Sequence, residues 1–331
     1  MFSGRWGRLS LGILLSLWLL YLMFRDVNLH LFGDRILSAG PALLLAAIMV
    51  LCTDYFLRLL RWHRMLRLAG SPIALRDCAR PFFIGFALNN LLPLRAGDVA
   101  RVVGFRNVIG ITGARILGTL VAERFFDLLV LLAMLGASLT WAPSQSDTLA
   151  WAGEIGLAAG AALIFMILVG LALVTISGIS TGLPRLLRRL FGDGRGQRFS
   201  DWFEQLRTAL ILLGDPKTLA WFVLLSVAAW GLEACVFALV AQALAQDTAG
   251  IWLAMAAGNL GTLLPGAPGH IGTFDFFAMQ GMMAFKAEHE AAAAFALLVH
   301  AILWLPVTLI GLALIPFAPA GLRRETDEHG R

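Results

Sequence analysis

Residues 91–99, LLPLRAGDV, and residues 263–271, LLPGAPGHI, align without a gap as LLPxxxG, pairing Pro93 with Pro265 and Gly97 with Gly269 at an offset of 172 residues. Each motif interrupts an apolar stretch: PFFIGFALNNLLPLRAGDVARVVGF (81–105) and IWLAMAAGNLGTLLPGAPGHIGTFDFFAMQGMMAF (251–285). Proline lacks the backbone N–H that a helix interior uses, and it biases the preceding residue away from the α region. Glycine allows turns closed to other residues. Each stretch therefore reads as two short helices around a break, neither half reaching the roughly 20 apolar residues of a bilayer crossing.

The surrounding composition is that of a polytopic membrane protein. Hydrophobic residues make up 59% of the chain and charged residues 14%, and the mean hydropathy is +0.80, far from a soluble domain. Cys52, Cys78 and Cys235 lie in apolar or motif segments, without the spacing of a disulfide framework or a metal site. No metal or cofactor is expected. The net charge of +5 is spread over loops, with no phosphate-binding glycine loop or nucleic-acid motif, so membrane phospholipid is the expected partner of the basic residues and nucleic acid is not.

Six stretches meet or approach spanning length: 9–24, 41–60, 114–140, 150–176, 217–245 and 290–317. The first follows Arg5 and Arg8 and lacks a small-x-small cleavage site, so it is read as a retained span rather than a signal peptide. Orientation follows lysine and arginine in short loops. Arg58, Arg61, Arg64, Arg67, Arg76 and Arg80 mark one cytoplasmic segment, and Arg185, Arg188, Arg189, Arg195, Arg198, Arg207 and Lys217 mark another. The loops 142–149 and 245–250 carry no lysine or arginine, and 26–40 carries only Arg35, so these are placed outside. Six crossings with both termini cytoplasmic fit this distribution. Three of them separate the two broken stretches, so the second stretch enters from the opposite face. The expected fold is all-α, with about six transmembrane helices and two oppositely oriented re-entrant helical hairpins in an inverted repeat, the plan of many secondary transporters. Its parts are a first repeat (41–140, hairpin about 78–108), an interfacial cytoplasmic connector (178–216), a second repeat (217–317, hairpin about 250–285) and a polar tail (318–331).

Broken helices at membrane depth survive only where protein or water satisfies the backbone, and helix ends facing such a cavity favour anions. Arg95 and Arg101 add fixed positive charge there, with guanidinium geometry suited to phosphate. Asp98 reads equally as a helix N-cap and as a functional carboxylate. In VAERFFDLLVLL (121–132), Glu123, Arg124 and Asp127 sit within an apolar helix. Each charge costs roughly 2.5–3.5 kcal/mol at the bilayer centre, so they face protein or water, or else the helix starts later and they lie at the interface. The internal alternative pairs Arg95 or Arg101 with Glu123 or Asp127. Asp54 and Arg58 read as an i, i+4 pair near the end of a span. Glu233 lies mid-span with no local cation, which makes it a candidate proton-coupling carboxylate. In the hairpins, Asn90, Pro93, Gly97, Asn259, Pro265, Pro268, Gly269, His270, Gly272 and Asp275 are the candidate gating positions.

Four patches resemble the flippase-like membrane domain of the lysylphosphatidylglycerol synthases. LLPLRAGDVAR (91–101) is similar to that family's Pro-x-Arg-x-Gly-Glu-x-x-Arg stretch, with Asp98 where Glu is usual. ERFFD (123–127) resembles its Glu-Arg-x-x-Asp. LLPGAPGHIGTFD (263–275) resembles its Pro-x-x-Pro-Gly-x-x-Gly stretch, with His270 in place of a common Gly and Asp275 in place of Glu. RLLRWHRML (58–66) is a weaker match. The resemblance implies a free-standing two-repeat domain of a bacterial inner membrane that moves lipid headgroups or lipid-linked sugars between leaflets. Without the soluble aminoacyl-transferase domain of those synthases, the chain is expected not to be an enzyme. In that reading Arg95, Arg101 and Arg124 hold an anionic headgroup, and Asp98, Glu123, Asp127 and Glu233 pair charge or carry protons. Two other readings stand beside it. One is an integral-membrane transferase using a polyprenyl-phosphate donor, with Asp26 as its only carboxylate candidate. The other is a non-catalytic partner of a lipid-modifying enzyme, its buried charge serving as structural glue.

Overall fold

The structure, a computed structural model, describes residues 3–141 and 216–319 together with residues 160, 161 and 189. The expected span at 150–176, the connector at 178–216 and the polar tail therefore lie, but for isolated positions, outside the described residues.

No strand occurs among the described residues. The chain opens with α1 (Ser3–Phe24) and α2 (Leu29–Leu37), whose axes meet at 90°. The turn is fixed by Asn28, whose side chain accepts from the backbone N–H groups of His30 and Leu31, an N-cap in its usual role. The 26–40 segment, expected to be a loop, thus contains a nine-residue helix. Next come α3 (Pro41–Leu68), started by a proline at its first turn, and a broken region. That region consists of α4 (Leu75–Leu91), a 3-10 turn at Pro93–Arg95, α5 (Ala96–Val99), a π turn at Ala100–Gly104 and α6 (Arg106–Ile109). α7 (Gly113–Trp141) follows. The later part repeats the order: α8 (Pro216–Ala243), a hairpin of α9 (Ile251–Gly261) and α10 (Thr273–Met283), and α11 (His289–Leu314).

Among the described residues, α3, α8 and α11 are long and apolar enough to cross a membrane, and the bent α1–α2 pair makes a fourth if it counts as one crossing. This is fewer than the six expected. One of the missing spans falls outside the described residues, and α7, although 29 residues long, carries Glu123, Arg124 and Asp127.

Both interrupted stretches fold into hairpins, for a legible reason. Leu92 is extended before Pro93, and Arg95 adopts a left-handed conformation (φ 53°), so α4 ends and the chain reverses. Gly97 then lies against the Gly85 carbonyl and Arg101 beside Gly85, an approach that a β-carbon at either glycine would prevent. In the second hairpin Gly250, which caps the start of α9, and Ala254 and Gly258 within it recur every fourth residue. They let α10 approach until Gly281 touches the Ala254 backbone and Phe274 and Ala278 pack on Gly258, the close contact small residues permit between apolar helices. Each of these 11-residue helices is about 16 Å long, half the roughly 30 Å hydrocarbon core.

The packing of the two parts is reciprocal. α3 lies along α8, α4 along α11, and α9 along α7. The first hairpin thus leans on the last helix of the second part, and the second hairpin on the last helix of the first. The largest apolar cluster joins Phe237 of α8, Phe274 and Met279 of α10 and Ala292, Ala293, Ala294, Phe295 and Ala296 of α11. A second, around Trp62, Phe82 and Phe105, seats the first hairpin on α3.

Replacing Gly281 with Ala drives a methyl group into the α9 backbone and is expected to lower stability by about 1–3 kcal/mol, read as a lower Tm in detergent. Gly231→Ala, in a position with open space around it, is expected to leave Tm unchanged or raise it.

Candidate functional site

Three helices contribute matching polar stripes to one buried layer. On α3, Asp54, Arg58 and Arg61 are spaced four and three apart. On α7, Glu123 and Asp127 are four apart. On α8, Ser226, Trp230 and Glu233 are spaced four and three apart. Those spacings put each set on one face of its helix, and the three faces converge.

Arg58 Nε donates to both oxygens of Asp54, at 2.9 and 2.8 Å, while its Nη2 donates to Glu233 Oε2 at 2.8 Å. The Trp230 ring lies 4.6 Å from its guanidinium carbon. Glu233 Oε1 in turn accepts from the Asn259 side chain of α9 at 2.8 Å. Arg61 Nη1 donates to Asp127 at 2.7 Å and to Ser226 at 2.6 Å, and the Trp230 indole N–H also reaches Asp127 at 3.2 Å. Arg61 Nη2 stands 3.8 Å from Glu123, and Arg101 Nη1 approaches the same carboxylate from the first hairpin at 3.9 Å. Asp54, Arg61, Arg101 and Glu123 are at most 1% exposed.

This geometry corrects two expectations. Asp54 and Arg58 are not a snorkelling pair near a helix end: both are buried, and Arg58 ties α3 to α8. Glu233 does have a cation, supplied by α3. Arg58 and Arg61 accordingly drop out of the cytoplasmic loop charge, whereas Arg64, Arg67, Arg76 and Arg80 remain exposed. Glu123 and Asp127 do face protein, but Asp127 is paired by Arg61, which the sequence reading had counted only as loop charge. The signal that could have found Arg61 was its place on one stripe with Asp54 and Arg58.

Arg101 is sealed. Its Nη2 donates to the Phe82 carbonyl at 3.0 Å, and the Trp62, Phe82 and Phe86 rings surround its guanidinium carbon at 4.9, 5.2 and 4.7 Å. The tip of the same hairpin is different. Arg124 is 38% exposed and stands 3.8 Å from Asp98. Asp98 is not a helix N-cap: it lies within α5, accepts from Asn89 Nδ2 at 3.0 Å, and donates its own N–H to Asn89 Oδ1 at 3.1 Å. The half-buried side chain of Arg95 makes no hydrogen bond or ion pair among the described residues. Three sealed guanidiniums therefore meet four carboxylates, Arg124 answers Asp98, and Arg95 is left as the unpaired cation of the first tip.

The second tip meets the first from across the molecule. Asn90 donates to Thr308 of α11 at 2.8 Å, and Gly269 packs against the Asn90 carbonyl and the Trp304 indole. Gly269, His270 and Gly272 all adopt positive φ, at 73°, 58° and 89°, in the turn that also holds Pro265 and Pro268. Ser16 of α1 accepts the Ala267 N–H at 2.8 Å. An opening of about 320 Å³ lined by Arg80, Phe105, Val108, Phe317, Ala318 and Pro319 lies away from all these charges.

Removing Arg58 alone strands two buried carboxylates. Arg58→Ala is expected to cost about 3–5 kcal/mol of stability, measured by thermal or denaturant unfolding in detergent. Adding Asp54→Asn and Glu233→Gln is expected to recover most of that loss.

The sequence matches the family described as "Lysylphosphatidylglycerol synthase TM region" over residues 9–311. It is also 27% identical to a Haloferax volcanii protein named "Glycosyltransferase AglD" over 330 aligned residues, covering 89% of this chain and 51% of that protein. The chain thus spans about half the length of this curated relative. The expectation that the chain is not an enzyme is overturned by that relative, whose name is an enzyme's. The expectation concerned aminoacyl transfer alone and does not bear on other chemistry. With the family matched over residues 9–311, this is a multi-pass membrane protein that belongs to the lysylphosphatidylglycerol synthase transmembrane-region family.

Proposed function

We propose that this protein moves the anionic headgroup of a phospholipid, or of a polyprenyl-phosphate-linked molecule, between the leaflets of a bacterial inner membrane. The observation that carries this reading is Arg95. A guanidinium without a carboxylate, held in a left-handed turn at the tip of a broken helix, is a standing invitation to an anion in a medium of low dielectric constant. Arg124, partly exposed and only 3.8 Å from Asp98, is the second cargo contact, since phosphate can compete for it. Arg101 is reassigned. Under three aromatic rings it positions the hairpin against Glu123 and does not meet the headgroup.

In this reading the two hairpins are re-entrant from opposite faces, and the two parts form an inverted repeat. The reciprocal packing of α4 on α11 and α9 on α7 supports that arrangement, because a two-fold relation makes each such contact occur twice. Exposed Arg64, Arg67, Arg76 and Arg80 favour a cytoplasmic first hairpin mouth and cytoplasmic termini. Arg95 and its partners bind cargo while the tips alternate in closing the path. Four carboxylates against three sealed guanidiniums leave room for one proton, with Glu233, held between Arg58 and Asn259, as its natural carrier to the second hairpin.

The relative's name favours a second reading, in which the same cationic tip holds a lipid-phosphate donor for group transfer. Asp26 is a poor acid for that chemistry, since it is engaged by Arg25 at 2.8 Å on the surface.

In liposomes carrying a fluorescent anionic lipid, Arg95→Ala together with Arg124→Ala is expected to slow translocation by about tenfold or more, from loss of two charge-assisted contacts of at least ~1 kcal/mol each, with Tm little changed. Arg101→Ala is expected to lower Tm first. Unchanged translocation in the Arg95/Arg124 double variant would remove the cargo role. A sugar-transfer product that needs Arg95 would favour the second reading.

A further inference from the structure

His300, on α11, stands between two acceptors. Its Nδ1 is 2.7 Å from Asp275 Oδ1, and its Nε2 is 2.9 Å from the Gly269 carbonyl oxygen. Asp275 is fully buried, and its other oxygen accepts the Gly272 N–H at 2.8 Å. A carbonyl can only accept, so Nε2 must carry hydrogen. The contact with Asp275 likewise needs a proton between nitrogen and oxygen. The ring then donates twice, as an imidazolium beside a carboxylate, or the same proton sits on Asp275 beside a neutral ring. In either case the pair as a whole is neutral and holds one proton more than an ionised aspartate beside a neutral histidine. Burial argues in the same direction, because a net charge on a fully buried group is costly in a membrane interior.

We propose that His300 and Asp275 form a membrane-buried proton-binding pair, and that its proton latches the tip of the second hairpin. The pair brackets the turn from both sides: His300 holds Gly269 and Asp275 holds Gly272. Between and including those residues lie three positive-φ positions; two are glycines, which adopt it freely, while the left-handed conformation of His270 persists only while its surroundings enforce it. When the proton leaves, the ring keeps one N–H for two acceptors. The charged carboxylate takes it, and the Gly269 carbonyl is left facing a nitrogen lone pair. The strained turn then loses its α11 anchor at the point where Gly269 packs on Asn90 of the first hairpin. The tip opens when the proton is released and closes when it is bound.

The groups that face the pair are few. From the tip, His270 lies within electrostatic reach of His300, and Arg95 of the first hairpin reaches His270 in turn. The Phe274 ring of α10 covers the imidazole at 4.9 Å. On α8, Glu233 is turned to Arg58 and Asn259, and on α3 Asp54 is held by Arg58. On α4, Asp77 and Arg80 pair with each other. On α2, Arg35 pairs with Glu288 just before α11 begins. The proton site is thus separate from the Glu233 carboxylate, and its existence does not depend on what the protein carries.

The test uses the full chain in liposomes with ¹⁵N-labelled histidine and ¹³C-labelled aspartate. The resonances of His300 are identified by their absence in His300→Gln. Near neutral pH we expect one of two signatures: both ring nitrogens as N–H, or one N–H beside a protonated Asp275 carboxyl. Asp275→Asn is expected to return the ring to a single N–H. A neutral ring beside an ionised Asp275 at neutral pH would overturn the proposal. The latch is read separately, from the reactivity of Ala267→Cys toward a thiol reagent relative to Ala287→Cys, which corrects for the reagent's own pH dependence. That ratio is expected to rise severalfold as His300 loses its second N–H, and to be high and flat with pH in His300→Gln. A ratio that ignores the protonation of His300 would overturn the latch. Neither readout involves lipid transport, so failure of the transport reading and failure of this one are told apart.

Discussion

A guanidinium moved from water into a medium of low dielectric constant loses several kcal/mol of solvation, which only close carboxylates and hydrogen bonds restore. Among the described residues this protein buries three of them, Arg58, Arg61 and Arg101, at 8%, 0% and 0% exposure. Much of the architecture follows from satisfying them. Arg58 needs Asp54 and Glu233, which fastens α3 to α8. Arg61 needs Asp127, which fastens α3 to α7. Arg101 has no full-strength carboxylate contact, standing 3.9 Å from Glu123, and is held by the Phe82 carbonyl and three aromatic faces instead. Its demand seats the first hairpin on α3. The network thus decides which helices are neighbours, a choice that apolar contacts between lipid-like surfaces make only weakly.

Against that rigid layer the hairpin tips are built differently. They are short and broken, and they meet through single hydrogen bonds and positive-φ residues where the layer uses ion pairs. Asn90 to Thr308, Ala267 to Ser16 and Gly269 to His300 are each one bond deep. Local opening draws on such weakly held regions. A firm charged layer and lightly pinned tips suit the proposed passage of a charged headgroup, which must enter without unfolding the protein. The unpaired Arg95 stands at the boundary between the two regimes.

Much of this was legible in the chain. The LLPxxxG echo located both helix breaks, because proline and glycine act on the backbone locally and need no neighbour. Glu123 and Asp127 announced buried pairing, because charge in an apolar helix has no cheap alternative. The misreadings have one source. Arg58 and Arg61 lie near the end of a hydrophobic run, where arginine normally reaches the interface. Asp98 precedes a helical stretch, where aspartate normally caps. Glu233 had no cation within helical reach, so none was assigned. Except for Asp98, held by Asn89 nine residues away, the deciding partner was distant in sequence: 175 residues from Arg58 to Glu233 and 66 from Arg61 to Asp127. The His300–Asp275 pair was missed likewise, since a lone histidine in the apolar run of α11 has no local signature.

The sequence by itself determined that the protein is helical and membrane-embedded, where its helices break, and that its charges must be inside. Hydropathy, proline and glycine act through the chain's nearest neighbours and through water, and those are present in any reading of the chain. Only the tertiary structure decided which carboxylate each arginine owns, which cation has none, and which two acceptors share His300. Pairing is a property of helices brought face to face, and a charge has no address until its partner arrives.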